Sequence, residues 1–113
     1  MSDTTSTAPA VRVEPTRYSV SILPETSINH GSYEITVEYR GAGRWAVCNG
    51  GSCLDAAGEW EYESIPSERE DEWLAAHRFD LDAALRLARE AAPDLTVNGW
   101  SVAKAMELEA RHG

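Results

Sequence analysis

From Tyr33 onward apolar residues fall at every second position, and short glycine-containing breaks interrupt the pattern. Tyr33, Ile35, Val37 and Tyr39 alternate with Glu34, Thr36, Glu38 and Arg40. A period of two sends one set to each face of a strand, so one face packs on a core and the other meets water. Gly41-Ala42-Gly43 reverses the chain into a strand over Arg44–Cys48. Asn49-Gly50-Gly51 is a second turn, and Ser52–Asp55 a short return strand. Ala56-Ala57-Gly58 turns the chain into Glu59–Ser64, where Trp60 and Tyr62 alternate with glutamates. Upstream, Tyr18, Val20 and Ile22 alternate with serines over Tyr18–Leu23, before Pro24 and a loop over Glu25–Ser32. Short strands joined by tight turns predict an antiparallel meander of four to five strands.

The period then changes. Ser67 and Glu70 fit a capping box behind Pro66, and a helix is expected over Glu68–His77. Asp80 can cap a second helix over Leu81–Ala92, with Leu81, Ala84, Leu85 and Ala88 as its apolar stripe. Pro93 stops it. Leu95–Val97 reads as an edge strand, Asn98-Gly99 as a turn, and Ser101 as the cap of a last helix bearing Val102, Ala105 and Met106. The fold class that follows is α+β: the meander, then two to three helices packed on one face. Its expected core sets Tyr33, Ile35, Val37, Tyr39, Trp45, Val47, Trp60 and Tyr62 against Trp73, Leu74, Leu81, Leu85 and Ala88.

With 113 residues, the chain is the size of one domain. Residues 1–16, rich in Ser, Thr, Ala and Pro, are expected to be a disordered tail, and residues 17–113 a single domain. The N-terminus has no basic region followed by an apolar stretch, and no apolar run is long enough to span a bilayer. The expected location is the cytoplasm, without membrane partners. The formal net charge of −9 repels nucleic acid directly and favours a basic protein as partner.

The segment PSEREDEWLAAHRFDLDAALRLAREAAP, followed by TVNG, resembles small uncharacterised proteins of actinobacteria and their phages, over residues 18–100. The resemblance implies a phage or actinobacterial source. It carries over no activity and no catalytic residue.

Cys48 and Cys53 are the only cysteines. With Gly50-Gly51 as the loop they face each other across the hairpin; with Asn49-Gly50 as the loop, Cys48 faces Gly51 and no bridge forms. In a reducing cytosol the thiols stay free in either register. The four-residue gap is not a zinc-knuckle spacing, and zinc would need two more ligands from His30, His77 or His112, which local spacing does not supply. No metal and no cofactor are therefore expected. His77, at a helix end, and His30, in a loop, are the candidate bases for a small enzyme; the plainer readings are a helix-terminal and a turn histidine. No phosphate loop, dinucleotide fingerprint or hydrolase elbow occurs, and the arginines form no basic stripe.

What remains is the acidic run from Asp55 to Glu72, opposed only by Arg69. Glu59, Glu61 and Glu63 on one strand face, with Glu68, Asp71 and Glu72 beyond, make a candidate contact surface, and Trp100 beside its turn is a second. Carboxylates about 7 Å apart along a strand roughly match the phosphate spacing of a nucleic-acid strand. Two readings follow. One is a non-enzymatic accessory protein, encoded by a phage or mobile element, that binds another protein. The other is an acidic mimic that inhibits a DNA- or RNA-handling protein by filling its basic groove. An enzyme using His77 or His30 ranks below both.

Overall fold

The computed structural model describes residues 9–63 and 70–112, the last of these by its backbone alone. Five strands form one antiparallel sheet in sequence order: β1 (Arg17–Val20), β2 (Ile35–Tyr39), β3 (Trp45–Asn49), β4 (Ser52–Leu54) and β5 (Trp60–Tyr62). Three helices follow: α1 (Asp71–His77), α2 (Leu81–Ala91) and α3 (Val102–His112). A 3-10 turn (Ala92–Asp94) and a small hairpin, β6 (Thr96–Val97) and β7 (Trp100–Ser101), lie between α2 and α3. The class is α+β and the sheet is the expected meander.

Local chemistry fixes the turns and caps. Gly50-Gly51 are the loop residues of the β3–β4 hairpin, because Asn49 pairs with Ser52 and Cys48 with Cys53. Asn98 and Gly99 both take positive φ (53° and 82°), the geometry of a primed two-residue turn, and Val97 pairs with Trp100 across it. Asp80 Oδ1 accepts from the Ala83 N–H at 2.8 Å and caps α2, and Ser101 Oγ accepts from the Lys104 N–H at 3.1 Å in the first turn of α3. The capping box falls differently. Ser67 and Glu68 lie outside the described residues, Glu70 is the N-cap of α1, and its side chain makes no capping hydrogen bond.

The sheet is covered on both faces. On one, Ile35, Val37, Trp45, Val47 and Leu54 are buried against Ala84 and Ala88 of α2 and Val102 and Ala105 of α3. On the other, Ala46, Cys48 and Cys53 form a smaller buried cluster with Trp73 of α1 packed on it. Trp73 was expected against Ile35 and Val37; it lies on the opposite side of the sheet from them. The chain changes sides through His77-Arg78-Phe79. Phe79 makes an isolated antiparallel bridge to Trp45, with Trp45 N–H donating to Phe79 O at 2.7 Å and Phe79 N–H to Trp45 O at 3.0 Å. Phe79 joins the large core, and the preceding Arg78 side chain reaches the other face.

Tyr39 and Tyr62 were also expected in the core and are 41% and 75% exposed. Tyr62 is the last residue of β5, the edge strand. Tyr39 packs its ring on Trp45 at 5.2 Å while its hydroxyl accepts from the Gly43 N–H. Residues 9–16 carry no regular structure and are exposed throughout.

Val37 is fully buried at the centre of β2, so Val37→Asp places an unpaired charge in the core. The expected loss is about 4 kcal/mol or more, enough to abolish the cooperative unfolding transition in urea. Tyr62→Ala, at the exposed edge, should shift that transition by about 0.5 kcal/mol or less.

Candidate functional site

The face of the sheet under α1 carries most of the buried polar chemistry among the described residues. Pairing sets its membership: Thr36 faces Cys48, Cys48 faces Cys53, and Cys53 faces Glu61. Two groups result, side by side.

The first is built on the thiols. Cys48 and Cys53 are free and buried, with sulfurs 3.5 Å apart. Arg40 Nη2 lies 3.7 Å from Cys48 Sγ and donates to Glu63 Oε1 at 3.0 Å. Arg78, 8% exposed, donates to Glu63 Oε2 at 2.7 Å and to its neighbour's carbonyl, His77 O, at 3.0 Å. Burial alone would push the Glu63 carboxyl up, but hydrogen bonds and charge from Arg40 and Arg78 outweigh it and hold Glu63 below the usual carboxylate range. Glu38 is lowered too, chiefly by the Thr36 hydroxyl donating to it, against the cost of burial. The thiols split. The hydrogen bond from Cys53 lowers Cys48 against burial, and the Arg40 charge helps; that same hydrogen bond, burial and a neighbouring anion raise Cys53.

The second group is built on His77, which is 2% exposed. Its ring stacks on Trp73 at 4.0 Å with a 9° interplanar angle. Nδ1 lies 2.7 Å from Trp73 O and Nε2 lies 2.9 Å from Glu61 Oε1. Asp55 stands beside them and organises the β4–β5 turn, its Oδ1 accepting from the Ala57 and Glu59 N–H groups at 2.9 and 2.8 Å.

The expected acidic surface is thus divided. Glu63 is half-buried between two arginines, and Glu61 is bonded to His77. Glu59 is exposed just before β5, and Asp71 and Glu72 are exposed in the first turn of α1. Glu68 lies outside the described residues. His30 is half-buried in the loop before β2, away from His77 in the chain and joined to it by no described contact. The His112 side chain is not among those described. Trp100 stands elsewhere, 48% exposed on β7.

Sequence reasoning missed Asp55, Arg40 and Arg78 as members of this layer. A signal was present: Trp45-Ala46-Val47-Cys48 is an unbroken apolar run, the mark of a strand buried on both faces. Residues alternating with the large core had to face a second layer as well.

Comparison with known protein families, with curated proteins and with solved structures finds no match. No described helix is long and apolar enough to cross a membrane.

Two outcomes are expected. Glu63→Gln leaves the buried Arg78 without its carboxylate and Arg40 with Glu38 alone, and should cost about 3 kcal/mol at neutral pH. A carboxyl held low stabilises the fold above its unfolded value and loses that contribution as pH falls through its folded value. The gap between variant and wild type in urea unfolding should therefore close in acid. For the thiols, pH-dependent alkylation read by mass spectrometry should label Cys48 at lower pH than Cys53, and Cys53→Ala should move Cys48 upward.

Proposed function

We propose that this chain is a non-enzymatic accessory protein that acts by binding another protein, with Trp100 as the anchor of the contact. The observation that carries this reading is an aromatic side chain half-exposed on a rigid mount. Trp100 follows the primed Asn98-Gly99 turn, and its carbonyl accepts from the buried Tyr33 hydroxyl at 2.8 Å. The hairpin is thereby tied to the buried end of the loop that leads into β2. A tryptophan fixed in this way costs little conformational entropy to bind, which is what an interface hot spot requires.

The surroundings fit an anchor. Trp100 borders a groove of about 330 Å³ lined also by Tyr33, Val97, Ala105 and Leu108. Ile28 and Met106, chain neighbours of the groove residues Asn29 and Ala105, are 90% and 45% exposed. A partner bringing an apolar side chain to the groove would bury this surface, and the chain's net charge of −9 would draw a basic partner faster than a neutral one.

The acidic-mimic reading draws its support from Glu59, Asp71 and Glu72, since Glu61 and Glu63 already hold partners inside the protein. An enzyme reading would have to bring a substrate to His77, whose side chain is almost fully buried.

Affinity capture from cells that naturally express the chain, followed by titration of the purified partner, tests the proposal. Trp100→Ala should weaken the complex by about 30-fold or more, the range of a hot spot. Lysine at positions 59, 71 and 72 together should slow association and flatten its salt dependence with little change in dissociation. A partner held equally by wild type and Trp100→Ala, yet lost by the lysine variant and lost steeply with salt, would instead support the mimic.

A further inference from the structure

We propose that His77, Glu61 and Asp55 form a binding site for a first-row divalent metal ion of the zinc type. The argument starts from hydrogen positions. Nδ1 of His77 lies 2.7 Å from the Trp73 carbonyl oxygen, which can only accept, so Nδ1 carries a proton and donates it. That fixes the tautomer. In a neutral ring Nε2 then bears a lone pair, and it points at Glu61 Oε1 from 2.9 Å. Two acceptors do not rest against each other at that distance, so something positive lies between them: a second proton or a cation.

Asp55 favours the cation. A proton shared by His77 and Glu61 leaves Asp55 only its turn role, whereas a cation would use it as a third donor: the donor atoms of Asp55, Glu61 and His77 all lie within 4.8 Å of one another. Both turn hydrogen bonds to Asp55 end on Oδ1, so neither engages Oδ2. Two carboxylates converging on one imidazole repel each other, and a dication among them neutralises both. A ring nitrogen committed to a backbone carbonyl while the other faces carboxylates is also how proteins orient a metal-binding histidine.

The remaining features agree. His77 is held by burial and by its stack on Trp73, so the imidazole is preorganised. The Glu61 side chain is 51% exposed, which leaves a route for the ion and room for water ligands. One nitrogen and two oxygens suit zinc and its neighbours better than calcium or magnesium, which take oxygen donors. Metal–donor lengths of about 2.0–2.2 Å need only small side-chain adjustments from this spacing. The neighbouring set of Cys48, Cys53 and Glu63 is a poorer candidate, because Arg40 and Arg78 place two positive charges on its carboxylate.

The test is calorimetric titration of zinc chloride into the untagged, full-length, chelator-treated protein. One equivalent should bind, and the thermal midpoint should rise with free zinc. The Asp55→Asn variant retains an Oδ1 for the turn and removes one charged donor; Glu61→Gln removes the other. Each should weaken zinc by about tenfold or more, a loss that even outer partners of a metal ligand can cause. The double variant Cys48→Ser/Cys53→Ser and the exposed-site control Asp71→Asn should bind as wild type does. In wild type, nitrogen NMR of the His77 ring should show Nε2 shifting with zinc, a readout that does not depend on any variant folding. Absence of zinc binding, an unmoved Nε2, or loss of binding in the thiol variant with Asp55→Asn unaffected would each overturn the proposal.

Discussion

Both layers of this protein rest on one strand. β3 buries four consecutive residues, Trp45, Ala46, Val47 and Cys48. Its large members face α2 and α3, and its small ones leave room for Trp73 of α1. A single continuous chain can cover both sides only by passing where the sheet leaves room, and it does so beside the start of β3, which β4 does not pair and where Phe79 pairs with Trp45. That bridge satisfies backbone groups that would otherwise be buried without partners, and it dictates which neighbours go where. Phe79 must share a face with Trp45, so Arg78 must share one with Cys48 and Glu63.

The consequence for charge is less apparent from composition. The chain has ten basic residues against nineteen acidic ones. Two of the ten, Arg40 and Arg78, are committed to Glu63 beneath α1, and Arg40 also pairs with Glu38. Ion pairs in such a place contribute little net stability relative to an apolar filling, because desolvation offsets much of the attraction. What they do supply is directional matching. Arg78 on the link after α1 and Glu63 at the end of β5 meet in one arrangement, which ties that link to a fixed place over the sheet. With two bases and two acids so paired, the rest of the chain keeps the full net charge of −9, which is where long-range steering of a partner would come from.

The strand order, the turns and two of the helix starts were legible because each depends on near neighbours. Period two, Gly50-Gly51, Asn98-Gly99, Asp80 and Ser101 act within a few residues of themselves. The second layer was not legible for the opposite reason. His77 meets Glu61 across sixteen positions and Arg78 meets Glu63 across fifteen. Periodicity says that Glu61 and Glu63 share a face with each other and not with Trp60; it is silent on what that face will meet. Reading a face rich in glutamate as wet is reasonable for a two-layer protein. Here it failed at Glu63 because small apolar residues, Ala46, Cys48 and Cys53, occupy the same face and call for a cover of their own. Tyr39 and Tyr62 erred the other way: the alternation was right, but each is the last residue of its strand, where the sheet ends and the core with it.

The sheet's own edges bear on how the protein meets others. β1 and β5 are the outer strands, four and three residues long. Short edges that carry charge, Arg17 on one and Glu61 on the other, offer a poor template for an added strand. Recognition through main-chain pairing is therefore disfavoured at both. Side-chain recognition is left, and it needs a group that is both large and held still. Trp100 is large and half-exposed, and the Tyr33 hydroxyl anchors the backbone of the smaller hairpin that presents it. The polar layer under α1 lies on the other side of the main sheet from α3. A two-faced sheet of this kind keeps the hairpin that carries Trp100 and the polar layer under α1 on separate sides without needing a second domain.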